Sequence, residues 1–282
     1  MRPLKYSTVS KLLPKRDPVS HKGDNGRVLI VGGSIDFYGA PVLAGLGALY
    51  SGADLVFLYV PECNFECSKS LYPDFIVKKY EGDYLNEGAV DKIVEFGKTC
   101  DSILIGPGLG NREETLKAAQ HIVEKLHVAT VLDADAIAVL KKIEKFPLDQ
   151  IVAATPHQNE FTNLVDKDVV VREEDPKSTI LLRSLSMDLH INVLLKGAKD
   201  FISSEEGHVQ TNVTGNAGMT VGGSGDVLAG VCASFLAQGL DGYDALRAAA
   251  FLTGKAGDML RKSKGFAYSA SDLAFSLPFA LK

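Results

Sequence analysis

The stretch Asn212 to Gly230, NVTGNAGMTVGGSGDVLAG, sets glycines and one carboxylate directly before an apolar run with the character of a buried helix. Glycines at a helix start leave backbone N–H groups free to face a ligand. The helix dipole makes that place favourable for an anion such as phosphate. Gly222, Gly223, Ser224 and Gly225 make up the turn, and Asp226 stands beside them. Asp is a favoured N-cap residue, so capping alone would account for it. Beside a phosphate nest the same carboxylate could instead take the proton of a hydroxyl while the nest holds a transferring phosphoryl group. The combination of nest and carboxylate favours the catalytic assignment.

The elements that must position this turn follow from hydrophobic periodicity. Short β-branched runs at Arg27 to Val31, Asp54 to Val60, Asp101 to Ile105, Ala129 to Leu132, Ile151 to Ala154 and Asn192 to Leu195 alternate with helical patterns. That alternation is the signature of βαβ units around a mainly parallel sheet. The first crossover, Pro41 to Ser51, is a helix rich in Gly and Ala that permits close packing. After Lys199, the runs FISS and HVQTNV flank Glu205-Glu206-Gly207 and predict a β-hairpin. Only helices follow, including Val227 to Ala237 and Ala245 to Leu260. The charged stretch Asp166 to Lys177 reads as a solvated loop and helix start. No linker, repeat or low-complexity tract divides the chain, so a single α/β domain over residues 1–282 is expected.

In open α/β sheets ligands bind beyond the carboxyl ends of the strands. Here those ends are GGSIDFYGAP, GPGLG, TPHQNE and KGAKD, and their repeated glycines would let backbone amides approach a ligand. Neither a G-x-x-x-x-G-K-[ST] phosphate loop nor a G-x-G-x-x-G opening the first helix is present, which argues against a P-loop enzyme or a dehydrogenase.

Composition narrows the classes further. The chain is 46% hydrophobic and 23% charged with a net charge of -5, so it can bury a large core and has no electrostatic reason to bind nucleic acid. No apolar run approaches the roughly 20 residues of a membrane span, and the first residues lack the apolar core of a signal peptide. A cytoplasmic protein without a membrane partner is expected. Cys63, Cys67, Cys100 and Cys232 are too few for a disulfide scaffold and read as free thiols.

GGSGD at Gly222 to Asp226, preceded by NVTGNAGM, resembles the anion hole and catalytic Asp of the ribokinase-like superfamily. HKGDNGRVLIVGGS at His21 to Ser34, YGAPVLAGLGALYSGADLV at Tyr38 to Val56 and IGPGLG at Ile105 to Gly110 resemble the ADP- or ATP-dependent NAD(P)H-hydrate dehydratases. LDADAI at Leu132 to Ile137, TPHQNEF at Thr155 to Phe161 and LLKG at Leu194 to Gly197 do likewise. The likeness runs from about Lys11 to the C-terminus, with the motifs in the family's order.

The resemblance implies a ribokinase-like α/β fold, a large mainly parallel central sheet flanked by helices on both faces. It implies repair of hydrated NADH or NADPH: an adenine nucleotide, ADP in preference to ATP, phosphorylates the added hydroxyl, and phosphate leaves. Residue by residue, Asp226 would be the base, and Gly223, Ser224 and Gly225 the anion hole. Ala40, Gly108, His157 and Asp226 would contact the hydrated cofactor, and Lys196, Gly197, Ala198, Lys199, Asp200 and Gly225 the nucleotide. Glu160 would organise Mg2+ through water, with Asp133 a weaker candidate. A homotetramer is implied too, and the epimerase domain sometimes fused in this family is not expected within these 282 residues.

The sequence departs from the family pattern at Asn159, Asp200 and Ala217, and the role of the Asp200 side chain stays open. His157 could act only as a helix-start hydrogen-bonder. Asp133 and Asp135 could cap the following helix. A hydroxyl kinase of the same superfamily, of thiazole or hydroxymethylpyrimidine type, would share Asp226 and the anion hole.

Overall fold

The structure, a computed structural model, describes residues 1–150 and 152–281. Ile151, expected to begin a strand, lies outside them. The described strands are β1 (Arg27–Val31), β2 (Leu55–Pro61), β3 (Ile76–Tyr80), β4 (Ser102–Ile105), β5 (Ala129–Leu132), β6 (Val152–Ala154), β7 (Asn192–Leu195), β8 (Asp200–Ser203) and β9 (Val209–Asn212). They form one sheet in the order β3-β2-β1-β4-β5-β6-β7-β8-β9. Pairing is parallel from β3 to β7 and antiparallel for β8 and β9, the predicted hairpin. The order reverses direction between β1 and β4, a switch point of the kind that opens a ligand crevice.

β3 was not among the predicted strands. Its sequence, IVKKY, carries two lysines and alternates poorly, because it is the sheet edge and only Tyr80 at its end is buried. Charged side chains on such an edge also discourage pairing with another chain.

The helices are α1 (Tyr6–Leu12), α2 (Ala40–Tyr50), α3 (Glu62–Leu71), α4 (Glu87–Gly97), α5 (Glu113–Lys125), α6 (Gln158–Val165), α7 (Pro176–Leu189), α8 (Ser224–Ala237), α9 (Gly242–Lys264) and α10 (Ala270–Ala280). Successive strand side chains point to opposite faces, so Val28 and Ile30 join the core under α2, α8, α9 and α10. Leu29 and Val31 join the second core under α4, α5, α6 and α7. Both faces of the central strands are buried, which is why they read as continuous apolar runs rather than alternating ones.

The packing of α2 on α8 fixes where the nest sits. A Cβ added at Gly47 would lie 2.2 Å from the Val227 carbonyl oxygen, and one at Gly230 would lie 1.9 Å from that of Ala44. The two helix backbones therefore touch, which only glycine permits. This contact brings the N-terminus of α8 beside the N-terminus of α2, over the carboxyl end of the sheet. Among the described residues no helix is long and apolar enough to cross a membrane.

Candidate functional site

Three adjacent parallel strands end in polar side chains that meet. Asp133 follows β5, Thr155 follows β6 and Lys196 follows β7. The Lys196 amide donates to the Pro156 carbonyl at 2.8 Å, so the chain after β7 stays alongside the chain after β6 and pairs Lys196 with His157. From there the Lys196 ammonium reaches Asp133 Oδ1 at 2.8 Å, and the Thr155 hydroxyl donates to the same oxygen at 2.7 Å. Asp133 is not a helix cap. Its side chain makes no hydrogen bond to the 3₁₀ helix Ala134–Lys141 that it precedes, and Asp135 instead accepts from the Gly110 amide.

The nest is built by a turn and a helix start. The 3₁₀ helix Ala217–Thr220 leads into Gly223, whose φ of 93° is left-handed and suits glycine. The Ser224 hydroxyl donates to the Met219 carbonyl at 2.6 Å and its amide to the Val221 carbonyl at 3.3 Å, so both tie that turn to α8. Among the described residues no acceptor serves the amides of Gly225 and Asp226, two of the groups that every helix start leaves open. Asp226 does not cap α8 either: no side-chain cap is formed, and its carboxylate has no hydrogen-bond partner among the described residues. Lys196 completes the nest, because a Cβ added at Gly225 would lie 3.4 Å from its Nζ.

The turn before α8 is anchored on α9. Gly215 N and Asn216 Nδ2 donate to Asp258 at 3.1 and 3.2 Å, and Tyr268 OH donates to Asn216 Oδ1 at 3.0 Å. Asp258, Tyr268 and Thr155 were not singled out from the sequence. For Thr155 the one signal is its place inside TPHQNEF.

His157 and Glu160 form a reciprocal cap at the start of α6. Glu160 N donates to His157 Nδ1 at 3.1 Å, and His157 N donates to Glu160 Oε2 at 2.7 Å. With Nδ1 accepting, the neutral ring carries its proton on Nε2. The helix-start role is thus realised, while the ring stays 52% exposed. On the other side, Gly108 lies against Ala40: a Cβ added at Gly108 would stand 3.1 Å from the Ala40 Cβ and 2.9 Å from that of Phe37. Ser34 Oγ donates to the Gly108 carbonyl at 2.8 Å, which ties the ends of β1 and β4 together.

In the loop Lys196 to Asp200, Gly197 and Ala198 are exposed. The Asp200 carboxylate turns inward: Gly197 N and Asn212 Nδ2 each donate to it at 3.0 Å, so it shapes the loop. Lys199 is paired with Glu173.

Charge is unbalanced around Lys196. Burial opposes its ammonium, yet Asp133, Glu160 and Asp226 together raise its pKa. Burial, reinforced by the Asp133 charge and partly offset by Lys196, pushes the Asp226 carboxyl up to about 7. Burial raises Glu160 as well, against the pull of Lys196 and the His157 amide. Asp200 is raised to about 6 by burial, which its two donors only moderate. The arrangement offers an unpaired carboxylate poised near neutral pH beside free amides and one ammonium, the parts needed to deprotonate a hydroxyl and hold a phosphoryl group.

Comparison with known proteins bears on the same residues. The bifunctional NAD(P)H-hydrate repair enzyme of Methanocaldococcus jannaschii is 40% identical over 273 residues, 96% of this chain, and the chain spans about half the length of such bifunctional relatives, 51% in that case. The ADP-dependent (S)-NAD(P)H-hydrate dehydratase of Nitrosopumilus maritimus is 35% identical over 99% of this chain and 96% of its own length. The ADP/ATP-dependent NAD(P)H-hydrate dehydratase of Bacillus subtilis, crystallised with ATP and Mg2+, superposes with a TM-score of 0.85 at 28% identity, covering 99% of this chain and 97% of that one. That superposition also bears out the ribokinase-like sheet flanked by helices on both faces. With the family model for NAD(P)H-hydrate dehydratase matching residues 28–278, the chain belongs to that family.

Proposed function

We propose that this chain returns hydrated NADH and NADPH to NADH and NADPH at the expense of an adenine nucleotide. The carrying observation is the Asp226 carboxylate, without a hydrogen-bond partner among the described residues, at a helix start with open amides and Lys196 on its flank. Asp226 takes the proton of the ring hydroxyl as its oxygen attacks the terminal phosphorus. The bond to the leaving nucleotide breaks, giving AMP from ADP or ADP from ATP. The ring nitrogen lone pair then expels phosphate, and loss of a proton from the neighbouring carbon restores the double bond. The turn of Gly223, Ser224 and Gly225, through its open amides, and the Lys196 ammonium hold the phosphoryl oxygens. Ala40, Gly108 and His157 hold the hydrated cofactor, and the Lys196–Asp200 loop holds the nucleotide.

A hard cation fits the donor set. Glu160 supplies a carboxylate oxygen, and no group of three or more such ligands gathers among the described residues, as suits Mg2+ held mainly by phosphates and water. When bound, Mg2+ neutralises charge on the phosphates. We also propose that residues 1–282 act as one domain, in the cytoplasm, as a homotetramer; sedimentation of the purified protein tests the last point.

The experiment is absorbance of NADH regenerated from its hydrate by purified protein with Mg2+ and either ADP or ATP, with phosphate counted in parallel. One phosphate per NADH, faster with ADP, is expected. A stable phosphoester, or faster phosphorylation of thiazole or pyrimidine alcohols, would instead identify a hydroxyl kinase.

A further inference from the structure

We propose that Asp133 is a positioning residue for phosphoryl transfer, acting through Lys196 and assisted by Thr155. The inference rests on the proposed phosphoryl-transfer reading and deepens it. Three neighbouring strand ends carry it. Lys196 rises from β7, passes the end of β6 and meets Asp133 at the end of β5, where Thr155 of β6 donates to the same oxygen. The Asp133 side chain is 3% exposed, and that of Lys196 is 20% exposed.

A lysine arm is long and has many rotamers, so its ammonium does not stay at one point unaided. Stabilisation of developing charge, however, requires groups already fixed where the charge appears. Asp133 supplies that fixation on Lys196, and Thr155 fixes Asp133. The ammonium so held is the one beside Gly225, at the first turn of α8, where an incoming phosphoryl oxygen of the nucleotide would lie. Asp133 therefore touches neither substrate nor nucleotide. Its partner Lys196 does, and Asp133 fixes the place from which it does so.

The pairing separates this role from that of a metal ligand, because the two differ in what fails when the carboxylate is neutralised. A double-mutant cycle with Asp133→Asn, Lys196→Met and the double variant, in repair of hydrated NADH with Mg2+ and ADP or ATP, tests it. Lys196→Met should lower kcat about a hundredfold. Asp133→Asn should lower it by up to about a hundredfold, the scale of a misplaced group. The double variant should match Lys196→Met, since the two act as one unit. Asp133→Asn should leave the half-saturating Mg2+ concentration and the nucleotide KM unchanged, as for an interaction made only in the transition state. Losses that multiply, or a raised Mg2+ requirement in Asp133→Asn, would overturn the proposal.

Should Asp133→Asn fail to fold, Thr155→Val stands in: a severalfold lower kcat alone, with no further loss on the Lys196→Met background. A Thr155→Val loss that persists on that background counts against the proposal. The same cycle is also read without turnover, as the extra thermal stabilisation that aluminium fluoride adds to nucleotide and Mg2+. All three variants should lose that increment equally, and its survival in Asp133→Asn would refute the positioning role. A wild-type protein that regenerates no NADH while this cycle still holds would count against the proposed reaction alone.

Discussion

Asp226→Asn separates a catalytic carboxylate from a helix cap by a pH-dependent gain in stability that a cap would not show. The folded protein raises this carboxyl from 3.8 to about 7, so between those values the native state binds more protons than the unfolded one. Stability from this group is then fully present below about pH 4 and lost as pH rises through 7. At about 1.36 kcal/mol per pKa unit, the ionised carboxylate costs the folded protein up to about 4 kcal/mol at pH 8. Asparagine has the same shape and no charge to bury. The assay is urea denaturation of wild type and variant at pH 4 and pH 8. The variant should gain little at pH 4 and become more stable than wild type at pH 8, by about 1–4 kcal/mol after local relaxation, while its turnover falls about 10²–10⁴-fold. A cap would show neither change, because Asn caps a helix about as well as Asp. A variant that is no more stable than wild type at pH 8 and still turns over refutes the assignment.

Because the base must be ionised, kcat/KM should rise with pH toward about 7 and level off above it; a pH–rate profile flat from 5 to 8 would exclude Asp226 as that base. His157→Ser keeps a favoured cap at the start of α6 but removes the ring, so calorimetry should show weaker binding of hydrated NADH with ADP affinity retained; equal losses would leave His157 only its structural role. Asp200→Ala strips the acceptor from Gly197 N and Asn212 Nδ2, costing about 1–3 kcal/mol and raising the nucleotide KM more than that of the hydrated cofactor. Gly47→Ala drives a methyl into the Val227 carbonyl, so it should cost about 1–3 kcal/mol or more in denaturation and lower activity by displacing the nest at the start of α8.

The fold was legible where burial leaves a plain pattern. β1, β5 and β7 match their predicted bounds because both of their faces are covered and their runs are unbroken. The hairpin of β8 and β9 was visible because its turn residues interrupt two short runs. β3 escaped because an edge strand with Lys78 and Lys79 has no apolar signature. α1 escaped as well, since one residue of its seven, Val9, is buried. Neither element touches the nest, so the site stayed readable despite both omissions.

The site was legible as residue types but not as pairings, and the difference is physical. Gly222 to Asp226 are contiguous, so their local geometry follows from glycine's backbone freedom and the open amides of a helix start. Lys196 and Asp133 stand 63 positions apart, and only the strand order β5-β6-β7 makes them neighbours. Without that order Asp133 reads as a cap or a metal ligand, and Asp200 as a charge misplaced in a phosphate loop. With it, Asp133 holds an ammonium and Asp200 braces the loop from within. Both carboxylates thereby spend their charge on the protein's own donors, and Asp226 is left as the acid whose proton is free to exchange with a substrate hydroxyl. A carboxylate with no donor of its own is costly to bury, and that cost, read as a pKa near 7, is what makes Asp226 basic enough to act.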